Sequence, residues 1–535
     1  MRTPPNEAVV MRYCRAMLVA RPLGFLFLAG LVLPPAWPVE PGRLRVEIRE
    51  RASGATIPAR VYLTDGQGKL HAPPDAIAYN RHEEHHFISN GTFSLSLPAG
   101  SYSLSVERGL EYLPWSTQFA LAAGETKIIT APLERWINMN QRGWYSGDLH
   151  NHRKPDEMSL LLLAEDLNLA PTLTDLVWEG RYISRAPAGT EPIRRVDDTH
   201  VFSVLDQEVE RLNHGPGAVD LLALKAPVPF EGDWLYPPND FFCRRAREQG
   251  GYVDAEKITW RDVPALVALG HIDFAGVVHN HFNRHGVETE TEPWGMAPKD
   301  RPEYHTPLGL ALWTLHVYYR FLNCGFRLPA SAGSASGVKA APLGYNRVYV
   351  QLDGAFSYQD WFRALKAGRN FATNGPLLFL AVNGRAPGSV IELPAPGATL
   401  KIRAEARTAG EDLERVEIIF KGQVVKTAEA GGAARALTAE LDLPAGETGW
   451  VAARAFERPS KTIRYAQASP VYVRVGNTSG IVPQDAQYFL NWMRREKEFY
   501  RRETRFQSPR HQEAMVTLFE QAEAVYARLA GSEPR

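Results

Sequence analysis

The chain has 535 residues, too many for one ordinary core, and at roughly 100–200 residues per domain the length predicts three or four units. Lys plus Arg and Asp plus Glu are each 60, so the formal net charge is +0 with His neutral. That balance removes the electrostatic case for a nucleic-acid partner or an anionic membrane surface and leaves small or neutral partners.

Residues 1–40 carry Arg2, Arg12, Arg15 and Arg21, then no charge from 22 to 39, a stretch that holds the apolar run "LGFLFLAGLVL". The run is shorter than the roughly 20 residues of a bilayer span and leads into "PPAWP", so it reads as a secretory signal, with an uncleaved anchor as the alternative. Export to the periplasm or the extracellular space follows, with no stable membrane span in the mature chain. Cys14 falls in this stretch, which leaves Cys243 and Cys324, too few for a disulfide framework.

Residues 41–135 read as strands. "RLRVEIRE" alternates, "ARVYLTD" ends in the turn "DGQG", and "NGTFSLSLPAGSYSLSVERG" places two alternating runs around "PAG". The pattern resembles a small β-sandwich of the carboxypeptidase-regulatory type. Within it His82 to His86, "HEEHH", formally satisfies H-E-x-x-H, which on a helix would gather two imidazoles and a carboxylate around zinc. Here it has no apolar helical stripe and runs into the hairpin signal Asn90-Gly91, so it reads as a decoy.

Residues 136–376 alternate helical and strand-like pieces, as an α/β domain should. "GWYSGDLHNHR" carries His150 and His152 at i and i+2, a spacing that on a strand aims both imidazoles to one face. "FAGVVHNHF" repeats the device with His279 and His281. Two such pairs in one domain point to a shared metal ion.

The ordered motifs "GDLHNHR", "AEDLNLAPTLT", "DQEVER", "DAEKITWRDVP", "HIDFAGVVHNHF", "LNCGFRLPASAGSASGV", "PLGYNRVYV" and "ATNGP" resemble the CehA/McbA-type branch of the PHP (polymerase and histidinol phosphatase) superfamily of metal-dependent hydrolases. The resemblance implies a central distorted (β/α)7 barrel whose metal ligands meet at one mouth. It makes His150 and His152 ligands, Asp156 a further candidate, and Glu208 a bridging or terminal carboxylate. Glu256 stands near an expected histidine, with Asp254 two residues before it. Where the superfamily closes its site with Asp-x-His, this chain has Ser334-Ala335-Ser336, and alanine offers no ligand atom.

The ligand set expected is therefore His150, His152, Glu208, Glu256, His279 and His281, with His214, Glu179 or His305 as substitutes, and mixed imidazole and carboxylate donors suit zinc, manganese or iron. Lys257 and Arg347, close in sequence to these segments, are candidates to neutralise negative charge developing in a reaction, alongside Glu208.

Residues 377–476 return to strands and read as an immunoglobulin-like sandwich. Residues 477–535 read as a helical tail, where Ser508-Pro509 starts a helix with the apolar stripe Met515, Leu518, Phe519, Ala522, Val525, Tyr526 and Leu529. The stripe packs back on the protein or dimerises. Two functions of different class stay open. One is an exported metal-dependent hydrolase acting on an ester, amide/carbamate or phosphoester of a small molecule or glycan. The other is a catalytically degenerate module of the same fold that binds an extracellular ligand or glycan. Loss of Asp-x-His favours the second; the joint presence of His150, His152, Glu208 and His281 favours the first.

Overall fold

The computed structural model describes residues 40–212, 214–289 and 297–531, and the expected signal lies, apart from Glu40, outside them. Alternation sets the first layer pair. In the strand Gly42–Glu50, Leu44, Val46 and Ile48 are buried while Arg43 and Arg45 face solvent. This strand sits in a four-stranded sheet that packs on a five-stranded one, and Leu44 and Val46 from the first share a core with Val61 and Leu104 from the second. Residues Ile77–Arg81 and Glu84–Ser89 form an antiparallel hairpin of the five-stranded sheet. All five "HEEHH" residues pass through its turn and second strand as turn or extended backbone, so no helical zinc motif forms there.

The expected (β/α)7 barrel is not formed. Such a barrel needs one closed parallel sheet with a helix after each strand. Among the described residues of 136–376 there are instead three separate sheets with five α-helices between their strands. Parallel pairs exist, as in Trp144–Gly147 with Leu169–Pro171 and Asp175–Trp178 with Gln207–Arg211. They are interrupted by antiparallel ones: Gln207–Arg211 with Gly217–Leu222, that strand with Tyr252–Asp254, and Trp144–Gly147 with Arg347–Gln351. Antiparallel neighbours reverse the strand direction that closure of a parallel barrel requires. The described residues are β-rich, with thirty-one strands against seven α-helices.

The boundary expected at residue 376 is not a break in the sheet. Asn370–Thr373 pairs with Tyr465–Ala468, so one twelve-stranded sheet runs from the central region into the C-terminal one. There it faces the three-stranded sheet of Leu377–Val382, Thr399–Arg407 and Ala436–Pro444 across a core that includes Leu380, Ile402, Val416 and Ala453. The helices Pro483–Arg502 and Pro509–Leu529 pack on each other and on the central region. Met515, Leu518, Phe519, Ala522 and Tyr526 are buried, and Tyr526 Oη donates to Pro264 O at 2.8 Å. Ser508 caps the last helix, accepting from His511 N. Cys243 and Cys324 are both buried and free. Among the described residues no helix is long and apolar enough to cross a membrane.

Candidate metal centre

His150 and His152 stand just past the end of the strand Trp144–Gly147, in a segment held extended by Ser334-Ala335-Ser336. Ala335 N donates to His150 O at 2.7 Å and His152 N donates to Ser336 O at 2.7 Å. Buried Asp148 anchors the same turn by accepting from the backbone N–H groups of His150 (3.1 Å), Ser334 (3.0 Å) and Gly344 (2.7 Å). A Cβ at Gly333 would fall 2.4 Å from His150 Cβ, so only glycine lets the two segments approach this closely. The segment that lacks a ligand side chain thus serves as the backbone rest for the two histidines.

The imidazoles converge as their spacing predicts. His150 Nε2 lies 2.9 Å from His152 Nε2, and Glu208 Oε2 lies 3.2 Å from His152 Nε2 and 3.7 Å from His150 Nε2. His150, His152 and Glu208 form a group whose donor atoms all lie within 4.8 Å of one another. Two imidazoles and a carboxylate at this separation are a donor set that zinc, manganese or iron accepts.

Glu208 reaches the group through strand register. It lies opposite Asp220 on the neighbouring strand, and Asp220 lies opposite Asp254 on the next, so three carboxylates share one row. Asp220 Oδ2 is 3.1 Å from His150 Nδ1, off the ideal hydrogen-bond direction, and among the described residues neither Asp220 oxygen has another hydrogen-bond partner. Burial works against an imidazolium at His150, but Asp220 and then Glu208 outweigh it and raise His150 to about 10. Burial likewise opposes the Glu208 carboxylate, while His150 and His152 hold it down at about 2. Burial, with the neighbouring Glu208 and Glu256 carboxylates, pushes Asp220 well above the carboxylate range, and burial lifts Asp254 to about 7.

The triad opens into a cavity of about 370 Å³ that Glu210, Lys257, Trp260, Asn280, His281, Glu288 and Lys339 also line. Trp178, Ile183 and Val338 stand at it as well, each at least 40 % exposed. Burial and the neighbouring Glu208 raise Glu210 to about 8.

The remaining expected residues divide. Glu256 is not in the triad: its Oε1 accepts from Lys257 Nζ and from Asn280 Nδ2 (2.7 Å), and its Oε2 accepts from Trp260 Nε1 (2.6 Å), which leaves it 3.5 Å from His150 Nδ1. Lys257 is in the cavity wall, 2 % exposed. His281 shares the cavity, with Nε2 3.7 Å from Glu288 Oε2, whereas His279 turns to Thr314 and accepts His281 N at Nδ1. Arg347 is elsewhere. It lies in a separate cleft with Arg60 and Arg464, donating to the carbonyls of Gly344, Glu165 and Asp166, because its strand alternation turns it away from the triad.

None of the substitutes joins either. Asp156 and His214 are exposed, Glu179 accepts Leu212 N, and His305 Nε2 meets Pro298 O. Sequence reasoning passed over Asp220, Asn280, Glu288 and Lys339. For Asp220 a signal existed, a single carboxylate inside the apolar strand "GAVDLL".

No protein-family model matches the chain, and no curated protein matches it. Among solved structures, the apo structure of Bacteroides uniformis beta-glucuronidase 3 aligns at 10% identity and a TM-score of 0.17, covering 81% of this chain and 63% of that one. The chain thus spans less than two thirds of that protein's length, and a TM-score this low establishes no common fold.

Proposed function

We propose that the chain is an exported metal-dependent hydrolase of an ester, amide/carbamate or phosphoester carried by a small molecule or glycan. The observation that carries the reading is the buried convergence of His150, His152 and Glu208 at the base of an open cavity. A divalent transition-metal ion at such a donor set supplies a Lewis acid that lowers the pKa of water towards about 7. The similarity of the ordered motifs to CehA/McbA-type hydrolases supports the same reading, and the arginine-rich head with its short apolar run supports export.

The chain's own residues have defined tasks in it. Glu208 and the two imidazoles would hold such an ion, and Asp220 orients His150 from behind through Nδ1, which leaves Nε2 facing the donor group. Lys257 presents a buried positive charge to the cavity; burial opposes that charge, but Glu256 and Glu210 raise its pKa, so it stays protonated and suited to neutralise negative charge on a reacting group.

A binding module remains the second reading, favoured by Ala335, which is fully buried and has no ligand atom where the resemblance expects one. The test is a panel of activated esters, carbamates and phosphoesters offered to zinc-, manganese- and iron-loaded protein, with His150→Ala as control. Hydrolysis that chelation removes is expected. Turnover no higher than that of His150→Ala on every substrate, with metal-dependent binding of a glycan, would hand the site to the binding module.

A further inference from the structure

The motif "HEEHH", with no part in the metal centre, belongs to a hairpin that touches both walls of the cavity. One wall is the segment from His281 to Glu288, which is itself a tight hairpin. Phe282 bridges Val287, Glu288 N donates to His281 O at 3.0 Å, and Asn283 N donates to Gly286 O at 3.0 Å. Its base places His281 and Glu288 on the cavity, and its tip carries Arg284 and His285 into the N-terminal sandwich. There Arg284 makes a two-pronged pair with Glu107 at 2.5 and 2.7 Å, and His285 Nε2 lies 2.7 Å from Glu84 Oε2.

Glu84 is fully buried, and its other oxygen lies 2.6 Å from both His86 Nδ1 and Tyr62 Oη, which donates to it. Burial opposes its ionisation, but His285 and His86 overrule it and hold the carboxyl far below the usual range.

The other wall is Lys339. Tyr79 Oη donates to Lys339 O, and the Tyr79 ring lies 5.2 Å beneath the guanidinium of Arg153, the neighbour of His152. Lys339 Nζ meets Glu288 Oε2 at 2.7 Å and so joins the two walls. Tyr79 and Glu84 lie on the paired strands Ile77–Arg81 and Glu84–Ser89, so a single sandwich hairpin holds both contacts in one frame.

We infer that Tyr79 and Glu84 are positioning residues, and that this hairpin of the N-terminal sandwich sets where His281, Glu288 and Lys339 stand around the metal cavity. The inference rests on the proposed metal site for its functional meaning but not for its geometry. The two histidines are held by Asp148 and by the backbone of Ala335 and Ser336, whereas the hairpin bonds this wall at Lys339, so the two can be separated by experiment.

The test uses the full chain with Tyr79→Phe, Glu84→Gln and both together, read by hydrogen exchange and by Co²⁺ and inorganic phosphate binding. Loss of one part-buried hydrogen bond from each wall predicts about tenfold faster exchange over 281–288 and 337–339, with 144–147, 207–211 and 335–336 unchanged. In the double variant, phosphate affinity of the Co²⁺-loaded protein falls about tenfold, while Co²⁺ affinity stays within about twofold, a split that general unfolding does not produce.

Unchanged exchange in both walls overturns the inference, and so does an unchanged phosphate affinity alongside faster exchange. Tyr79→Phe removes one hydroxyl only, which keeps the test decisive if Glu84→Gln does not fold. Wild-type protein that takes up no Co²⁺ defeats the metal reading instead, and the exchange data still decide the positioning claim.

Discussion

His150 Nε2 and His152 Nε2 face each other across 2.9 Å, with the Glu208 carboxylate 3.2 Å from the second. Two imidazole nitrogens so close must share either a proton or a cation. The expectation is one divalent transition-metal ion per chain, lost in His150→Ala and in His152→Ala. In Glu208→Gln the affinity falls by more than the about 10–100-fold typical of an outer-shell partner. Elemental analysis and chelator competition measure this, and full occupancy in the double histidine variant would remove the site.

Asp220 gives a second, more selective outcome. It stands behind His150 at Nδ1 without another hydrogen-bond partner among the described residues, so Asp220→Asn keeps the shape but withdraws the charge that favours metal-facing Nε2. Metal affinity falls about 10–100-fold with the fold retained. Equal affinity in the variant would show that the row of carboxylates does not tune the histidine.

The pH dependence follows from His150. Asp220 and Glu208, overcoming burial, raise it to about 10, and burial raises Asp220 in turn, so in the ion-free protein the His150–Asp220 pair keeps at least one proton at neutral pH, while Glu208, held at about 2, is already ionised. A metal ion must expel that proton. Binding between pH 7 and 9 therefore releases at least one proton per ion, and affinity climbs about tenfold or more per pH unit until the pair's folded pKa is passed. Calorimetric titration in two buffers of different ionisation enthalpy reads the proton count, and a count of zero contradicts the assignment.

Lys257 and Glu256 are a buried pair, both about 2 % exposed at the side chain. Lys257→Met leaves the Glu256 charge uncompensated and costs about 3–5 kcal/mol in denaturant unfolding, whereas Lys257→Met with Glu256→Gln costs clearly less. Additive losses would mean that the pair is not coupled.

Arg347 separates the site from the scaffold. Its guanidinium satisfies the carbonyls of Gly344, Glu165 and Asp166, so Arg347→Ala costs about 1–3 kcal/mol of stability through groups left unpaired. Metal affinity and any hydrolysis measured at saturating metal stay at the wild-type level in folded protein. A selective loss of turnover would restore the catalytic role that its sequence neighbourhood suggested.

What the amino-acid order determined by itself is local. The period-two alternation around Leu44, Val46 and Ile48 was enough to read the first strand and its buried face, and the i, i+2 spacing was enough to put His150 and His152 on one side of an extended segment, because both depend only on the geometry of an extended backbone; the same spacing at His279 and His281 did not bring those two together. The apolar stripe of the last helix was legible because the 3.6-residue period of a helix is equally local.

Tertiary structure decided everything that depends on which strands become neighbours. The register that sets Glu208 beside Asp220, the antiparallel pairs that replace an expected barrel, the donors that saturate Glu256, and the departure of Arg347 to another cleft are pairings between segments distant in sequence. Local pattern specifies a strand and its faces; the partner across the sheet is selected by the packing of the whole chain, where a one-residue shift in register exchanges the buried face for the exposed one.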